Sequence, residues 1–161
     1  MPRLPVLARR LGLVGVGALF AIAATACSAT VALEPAPSAN DPLCAEVSVR
    51  LPKIVAGEER RWTDAQATGA WGEPASVILA CGVEVPGPTT LPCGEIDGVD
   101  WIIDDSDAPN YRFTTFGRTP AVEVFLDYDR VSSGDVLRQL STAVSRLPVD
   151  RACTDRTGVT G

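Results

Sequence analysis

The sequence contains no histidine in 161 residues. That absence takes the imidazole base out of any Ser-His-Asp or Cys-His arrangement, so the common routes to an activated hydroxyl or thiol are excluded. The usual zinc sites built on imidazole are excluded as well. Lysine is almost missing, with Lys53 its single representative. The 14 glycines are scattered and none opens a helix in the P-loop pattern, so no phosphate-cradling turn is present. Acids are absent from the first 33 residues, and this local absence organises the rest of the reading.

The acid-free start, MPRLPVLARR, carries Arg3, Arg9 and Arg10. An uncharged apolar run follows, LGLVGVGALFAIAATA, from Leu11 to Ala26. A basic start, an apolar stretch and a small-residue end read as a secretory signal over residues 1–26. Ala24, Thr25 and Ala26 leave room for a peptidase to fit the backbone, and Cys27 follows at once. This is the arrangement of a bacterial lipobox, in which the thiol is acylated and the chain is cut just before it. It departs from the usual pattern in having Ala24 where leucine is common. A second reading is an uncut anchor, because no charge appears from Leu11 through Leu33 and a bilayer core needs about 20 apolar residues in a helix. Both readings leave the arginines in the cytoplasm and export the domain. The expected location is the cell membrane, with the body lipid-anchored through Cys27 on the extracytoplasmic face. Arg9-Arg10 also hints at twin-arginine export, but ARRLGLV matches that signal poorly, which leaves general secretion.

Lipidation of Cys27 leaves four of the five cysteines, and outside the cytoplasm these are expected to form two disulfides. Of the three pairings, the favoured one joins Cys81 to Cys93 across a Pro/Gly-rich loop and Cys44 to Cys153 across the ends of the domain. No tight cysteine spacing suggests a metal, and no cofactor is implied. Three of the 14 bases lie in the signal, which leaves 11 against 20 acids, a net charge of −9. That balance argues against nucleic acid as a partner and against charge-driven adhesion to anionic lipid.

Residues 27–40 read as the lipidated cysteine and a flexible tether of small residues and prolines. Asp41-Pro42 signals a helix start, and Leu43, Val47 and Leu51 give it one apolar face up to Pro52. One short strand is expected near Arg61–Ala67, with Trp71-Gly72 in a loop. SVILACGV, residues 76–83, is apolar on both faces, as in a covered central strand. EVPGPTTLPCGEI is a loop. GVDWIID, YRFTTFG and AVEVFLDY then alternate, placing Val99, Trp101 and Ile103, then Tyr111, Phe113 and Thr115, then Val122, Val124, Leu126 and Tyr128, each set on one face. A last helix is capped by Ser133 and buries Val136, Leu140, Val144 and Leu147. The expected architecture is a two-layer α+β domain over 41–153: an antiparallel β-meander covered by an N-terminal and a C-terminal helix and stapled by disulfides. Residues 154–161 read as a disordered tail.

WGEP at 71–74, ACG at 80–82, GVDW at 98–101 and FTTFGRTPAVEV at 113–124 occur in an order and spacing that resemble an actinobacterial family known as domain of unknown function 3515. The resemblance covers about residues 41–153. It implies a small exported protein, lipidated or membrane-anchored, and brings no catalytic residues with it.

The chemistry-bearing candidates are few. Asp100, Asp104, Asp105 and Asp107 could serve a calcium ion or an acid–base pair, although the run lacks the glycine and distal glutamate of a calcium loop; the plain reading is a solvated turn. Arg118 in FGRTP is a candidate anion or partner contact, or an arginine paired at the sheet edge. Arg60-Arg61 beside Trp62 is either a ligand-contacting surface or a solvated strand face. Trp101 belongs in the core, and Trp71 becomes a leading recognition residue if it is exposed. The expected function is a non-enzymatic binding or assembly-accessory module of the envelope, touching a protein or wall component. The alternative is a small carboxylate-dependent or metal-assisted hydrolase of envelope polymers.

Overall fold

The computed structural model of the chain describes residues 30–154. The signal segment, Cys27 and tail residues 155–161 lie outside the described residues. Helix α1 (Pro42–Ser48) opens the body, capped by Asp41, whose carboxylate accepts from Leu43 N at 2.8 Å. Eight strands follow: β1 (Ile54–Val55), β2 (Glu58–Arg61), β3 (Thr68–Trp71), β4 (Val77–Val83), β5 (Cys93–Ile96), β6 (Val99–Asp107), β7 (Asn110–Thr115) and β8 (Ala121–Asp127). Helix α2 (Ser133–Val144) closes the fold; its cap is Ser132 rather than the expected Ser133, which is itself buried.

The strands form one antiparallel sheet in the order β1-β2-β3-β4-β8-β7-β6-β5. It consists of two four-stranded meanders that meet where β4 pairs with β8. The α+β class and both helices agree with the sequence reading, but the second meander is only half of the sheet. The single strand expected near 61–67 is instead a pair, β2 and β3, separated by a folded turn. In that turn the Thr68 hydroxyl donates to Ala65 O at 2.7 Å and lies 2.8 Å from the Thr63 hydroxyl, which consumes polar groups a straight strand would leave outside. Two-residue turns at Ala56-Gly57 and Asp97-Gly98 make the hairpins β1–β2 and β5–β6, and the second is a plain Asp-Gly hairpin signal.

Alternation assigns one face of the sheet to the helices. Val77 and Leu79 of β4, Val99 and Trp101 of β6, Phe113 of β7 and Val122, Val124 and Leu126 of β8 pack with Val136, Leu137 and Leu140 of α2. Most residues that alternation placed in the core are there; Ile103 and Tyr111 are only partly buried against it, and Tyr128, past the end of β8, is exposed. Helix α2 touches both edges of the sheet: Gln139 Oε1 accepts from Ala56 N at 3.0 Å, and the Ser141 hydroxyl donates to Ile96 O at 3.1 Å. A sheet whose two edges both reach one helix must curl around it.

The disulfides are Cys44–Cys81 and Cys93–Cys153, not the pairing favoured from the sequence. The reason is strand parity. Cys81 shares the inner face with Val77 and Leu79 and meets Cys44 of α1. Cys93 lies three residues from inward-facing Ile96 and so projects from the outer face, where the C-terminal segment crosses. Cys81 and Cys93 are thus on opposite sides of the sheet, out of reach of each other despite their proximity in sequence.

The expected tether is also corrected. From Val31 onward the N-terminal segment lies on the body: Val31 N donates to Trp62 O at 2.8 Å, Leu33 N to Asp64 Oδ1 at 2.8 Å and Ser38 N to Gly82 O at 2.9 Å, and Ala39 is buried. Gly82, at φ +91°, permits this crossing, since a Cβ there would stand 2.3 Å from the Ser38 backbone. Gly117 does the same for the C-terminal segment, where a Cβ would lie 2.0 Å from Arg151 O.

Candidate functional site

Among the described residues, no helix covers the outer face of the sheet. One register row across it reads Thr68, Ala80, Glu123, Thr114, Ile102 and Cys93. The loop from Glu84 to Pro92 stands over the β6–β8 part of this face. Beneath it lie two adjoining cavities of about 510 and 250 Å³ that share Pro88, Thr89, Leu91 and Ile102. They form one groove with two different ends.

The larger end is lined by Pro88, Leu91, Pro92, Ile102, Phe116 and the Cys93–Cys153 bridge, with hydroxyls from Thr89, Thr90 and Thr154. None of its lining residues is charged. The disulfide has a direct role here, because it holds the C-terminal segment as one wall. Asp100 supports the same wall: Cys153 N donates to its Oδ2 at 2.8 Å.

The smaller end is charged. Arg112 Nη1 lies 3.1 Å from Glu123 Oε1, and its guanidinium stands 5.1 Å from the Phe125 ring centroid. Asp104, paired in register with Arg112, completes this end. Hydrogen bonds from the Ser106 hydroxyl and backbone N–H hold the Asp104 carboxyl below the usual aspartate range, with Arg112 adding a smaller pull. The groove therefore offers an apolar trough with hydroxyls along it and fixed charges at one end, an arrangement suited to binding and orienting a ligand.

Of the sequence candidates, Asp104 lines the charged end of the groove and Asp100 braces its wall, while Trp71 and Arg118 fall elsewhere. Trp71 is fully buried at the end of β3 and its Nε1 donates to Pro52 O at 3.1 Å, so it is a core residue and not an exposed recognition residue. Arg118 is 3 % exposed; its Nη1 donates to Leu147 O at 2.5 Å and its Nη2 to Gly98 O at 2.9 Å. It ties the C-terminal end of α2 to the β5–β6 turn, where a cation also suits the helix dipole. Burial lowers the Arg118 pKa and nearby Asp100 opposes that shift, while the side chain stays cationic. Arg118 is thus a structural clasp. Asp100 is buried beneath it, while Asp105 and Asp107 are exposed at the β6–β7 hairpin, so the four aspartates do not share one site. Among the described residues, no group of three or more acids and cysteines is placed to hold a metal ion.

The groove residues Ile102 and Phe116 escaped the sequence reading. Ile102 occupies the off-beat position of an alternating strand, and only the prolines of EVPGPTTLP could have marked the loop above it. Trp62 is 80 % exposed, in a shallow depression of about 400 Å³ with Arg60, Arg61 and Thr63.

The family model described as protein of unknown function (DUF3515) matches residues 7–151, and the chain belongs to that family. The match reaches further towards the N-terminus than the motifs that carried the resemblance. No curated protein and no solved structure matches the chain.

Proposed function

We propose that this DUF3515 member is a membrane-anchored envelope lipoprotein, held outside the cytoplasmic membrane through Cys27, that binds a segment of another envelope protein in the outer-face groove. The observation that carries the reading is the groove itself: an uncovered sheet face, walled by a Pro/Thr loop and a disulfide, apolar along its length and charged at one end. An extended polypeptide fits these properties, since its apolar side chains would cover Ile102 and Phe116 while its backbone meets the threonine hydroxyls. The two disulfides support an oxidising compartment, and the basic-apolar-small-Cys27 segment supports export and acylation.

The groove also lies far from the point of attachment. Val31 joins the body beside Thr63, just past β2, and the groove lies over β6 to β8. Neighbouring strands are spaced by about 4.8 Å, so the groove begins on the order of 15–20 Å along the sheet from the anchor side.

Two measurements test this reading. Intact mass of the protein from the membrane fraction, with and without reduction, is expected to show an acylated chain starting at Cys27 with two disulfides. A full-length, unmodified chain with free thiols refutes the anchor and compartment. A photo-crosslinking residue at Leu91, on the groove, is expected to give a discrete adduct in intact membranes that the same residue at Val49, exposed beyond α1, does not give. Equal labelling from both positions, or none from Leu91, refutes the groove as the binding face.

A further inference from the structure

The chain between Cys27 and the body is short. Val31 is already hydrogen-bonded to the backbone of Trp62, which leaves residues 28–30 as the whole connection. Four Cα–Cα steps span at most about 14 Å. Any bilayer that holds Cys27, or that holds an uncut apolar run ending near it, therefore lies within that distance of Val31 and about one strand spacing more from Trp62, which accepts from Val31 N.

What stands at this position is the most exposed large apolar side chain of the described residues. Trp62 is 80 % exposed, while Trp71 and Trp101 are completely buried. A large indole left in water at the site of attachment is unusual for a body with so much core available to it. Strand alternation puts Arg60 on the same side as Trp62, and the β1–β2 hairpin continues so that Lys53 lies opposite Arg60, with Arg60 N donating to Lys53 O at 2.8 Å. The chain's single lysine is therefore beside the exposed tryptophan. Both residues are exposed, although the Arg60 guanidinium also donates to Leu51 O at 3.3 Å and lies over Trp71, 6.0 Å from its ring centroid, so part of its donor capacity is used within the body. The nearby acids are turned to other uses or other directions: Glu58, on the same side as Arg60, pairs with Arg130 at 3.4 Å, Asp64 accepts from Leu33 N, and Glu59 alternates to the opposite side with Ile54. Arg61, also on that opposite side, pairs with Glu73.

Resting on the anchored reading above, we propose that Trp62, flanked by Lys53 and Arg60, is a second membrane contact that seats at the headgroup level of an anionic phospholipid bilayer. An amphipathic indole favours that layer, and the two cations would face anionic headgroups. The strongly acidic remainder of the body opposes adhesion elsewhere, so the contact fixes one orientation. The sheet edge at β1–β2 faces the bilayer and the β6–β8 groove faces away from it. A lipid anchor alone would let the body tumble over the surface; an anchor with a second contact close by does not.

The test uses the full chain purified from membranes and reconstituted into vesicles of phosphatidylglycerol and phosphatidylcholine with brominated acyl chains. Flotation reports the anchor, and quenching of tryptophan emission reports indole depth. Trp71 and Trp101 supply a constant buried background. The wild-type chain is expected to float and to be quenched, and Trp62→Phe to float equally with most of that quenching lost. Lys53→Gln with Arg60→Gln is expected to quench less than wild type. Vesicles of phosphatidylcholine alone are expected to reduce the wild-type quenching in the same direction. If the chain floats but wild type and Trp62→Phe quench alike, this inference is overturned and the anchored reading survives. If the chain does not float, both fall together. Equal quenching with and without phosphatidylglycerol overturns the part assigned to Lys53 and Arg60.

Discussion

Arg118→Met is the most informative single substitution in the body. The side chain is 3 % exposed and makes two hydrogen bonds to carbonyls, from Nη1 to Leu147 O and from Nη2 to Gly98 O. Its charge also faces Asp100, which is 8 % exposed and accepts from Cys153 N. Methionine nearly preserves the volume but removes the donors and the charge. The buried Leu147 carbonyl and the part-buried Gly98 carbonyl lose a cationic donor, and the buried Asp100 carboxylate loses a nearby positive charge. Losing two charge-assisted hydrogen bonds, one of them buried, costs about 2–4 kcal/mol. With a urea dependence of about 1.5–2 kcal/mol per molar for a domain of this size, the unfolding midpoint falls by about 2 M. The assay is equilibrium urea unfolding with both disulfides intact, followed by tryptophan fluorescence, since Trp71 and Trp101 report the core. Adding Asp100→Asn removes the negative charge that faced Arg118, so the double variant is expected to lose at least about 1 kcal/mol less than the sum of the two single variants. A loss within about 0.5 kcal/mol of wild type for Arg118→Met refutes the clasp and returns Arg118 to the role of a surface contact.

Other outcomes follow from the same packing. Trp71→Phe is expected to cost about 1–3 kcal/mol more than Trp101→Phe in thermal or urea unfolding, because Trp71 Nε1 donates to Pro52 O whereas Trp101 Nε1 has no hydrogen-bond partner among the described residues. Equal losses would show that the Pro52 bond contributes nothing. Gly82→Ala is expected to cost at least about 2 kcal/mol and to expose residues 30–40 to limited proteolysis, while Gly87→Ala, where a Cβ meets nothing within 4 Å, stays within about 0.5 kcal/mol of wild type. A protease-resistant Gly82→Ala would contradict the seated N-terminal segment. Ser106→Ala removes the largest cause of the lowered Asp104 pKa, so that carboxyl is expected to titrate closer to the ordinary value in an NMR pH series. Because the folded pKa is depressed, the ionised carboxylate steadies the β6–β7 hairpin above the unfolded aspartate pKa, and that support is lost as pH falls through the folded pKa. An unchanged Asp104 titration in Ser106→Ala would refute the assignment.

Much of the architecture can be read from local pattern. Asp41-Pro42 starts a helix because a carboxylate can take the free N–H groups and proline fits the first turn. Val122, Val124 and Leu126 share a face because side chains on a strand alternate, and burial of that face needs no knowledge of the partner. The position of Trp101 follows in the same way. The seven-residue β4 was legible as a covered strand from SVILACGV, although its outer face is only half-buried.

Other features were not legible, and each depends on which distant segment crosses which face. Trp71 sits next to Gly72 and Pro74 and looks like a loop residue, yet β3 carries it into the core, where Pro52 O takes its indole N–H. Arg118 in Gly-Arg-Thr-Pro looks like an exposed turn; only the return of the chain after α2 encloses it. A charged group is easy to place on a surface from its own sequence, but the groups that would satisfy it when buried lie 20 and 29 residues away.

The amino-acid sequence determined both helices, the strands β4, β6, β7 and β8 with their inward beat, the family, and the expectation of export and paired cysteines, because each of these rests on neighbours within a few residues; β2, β3 and β5, read as one strand or as loop, were set by pairing across the sheet. Tertiary structure alone decided the pairing of those cysteines, the docking of residues 31–40, the burial of Trp71 and Arg118, and the groove beneath the 84–92 loop. The physical reason is the same throughout: periodicity fixes which side of a strand a residue takes, but the choice of what covers that side belongs to the closure of the whole sheet around α2.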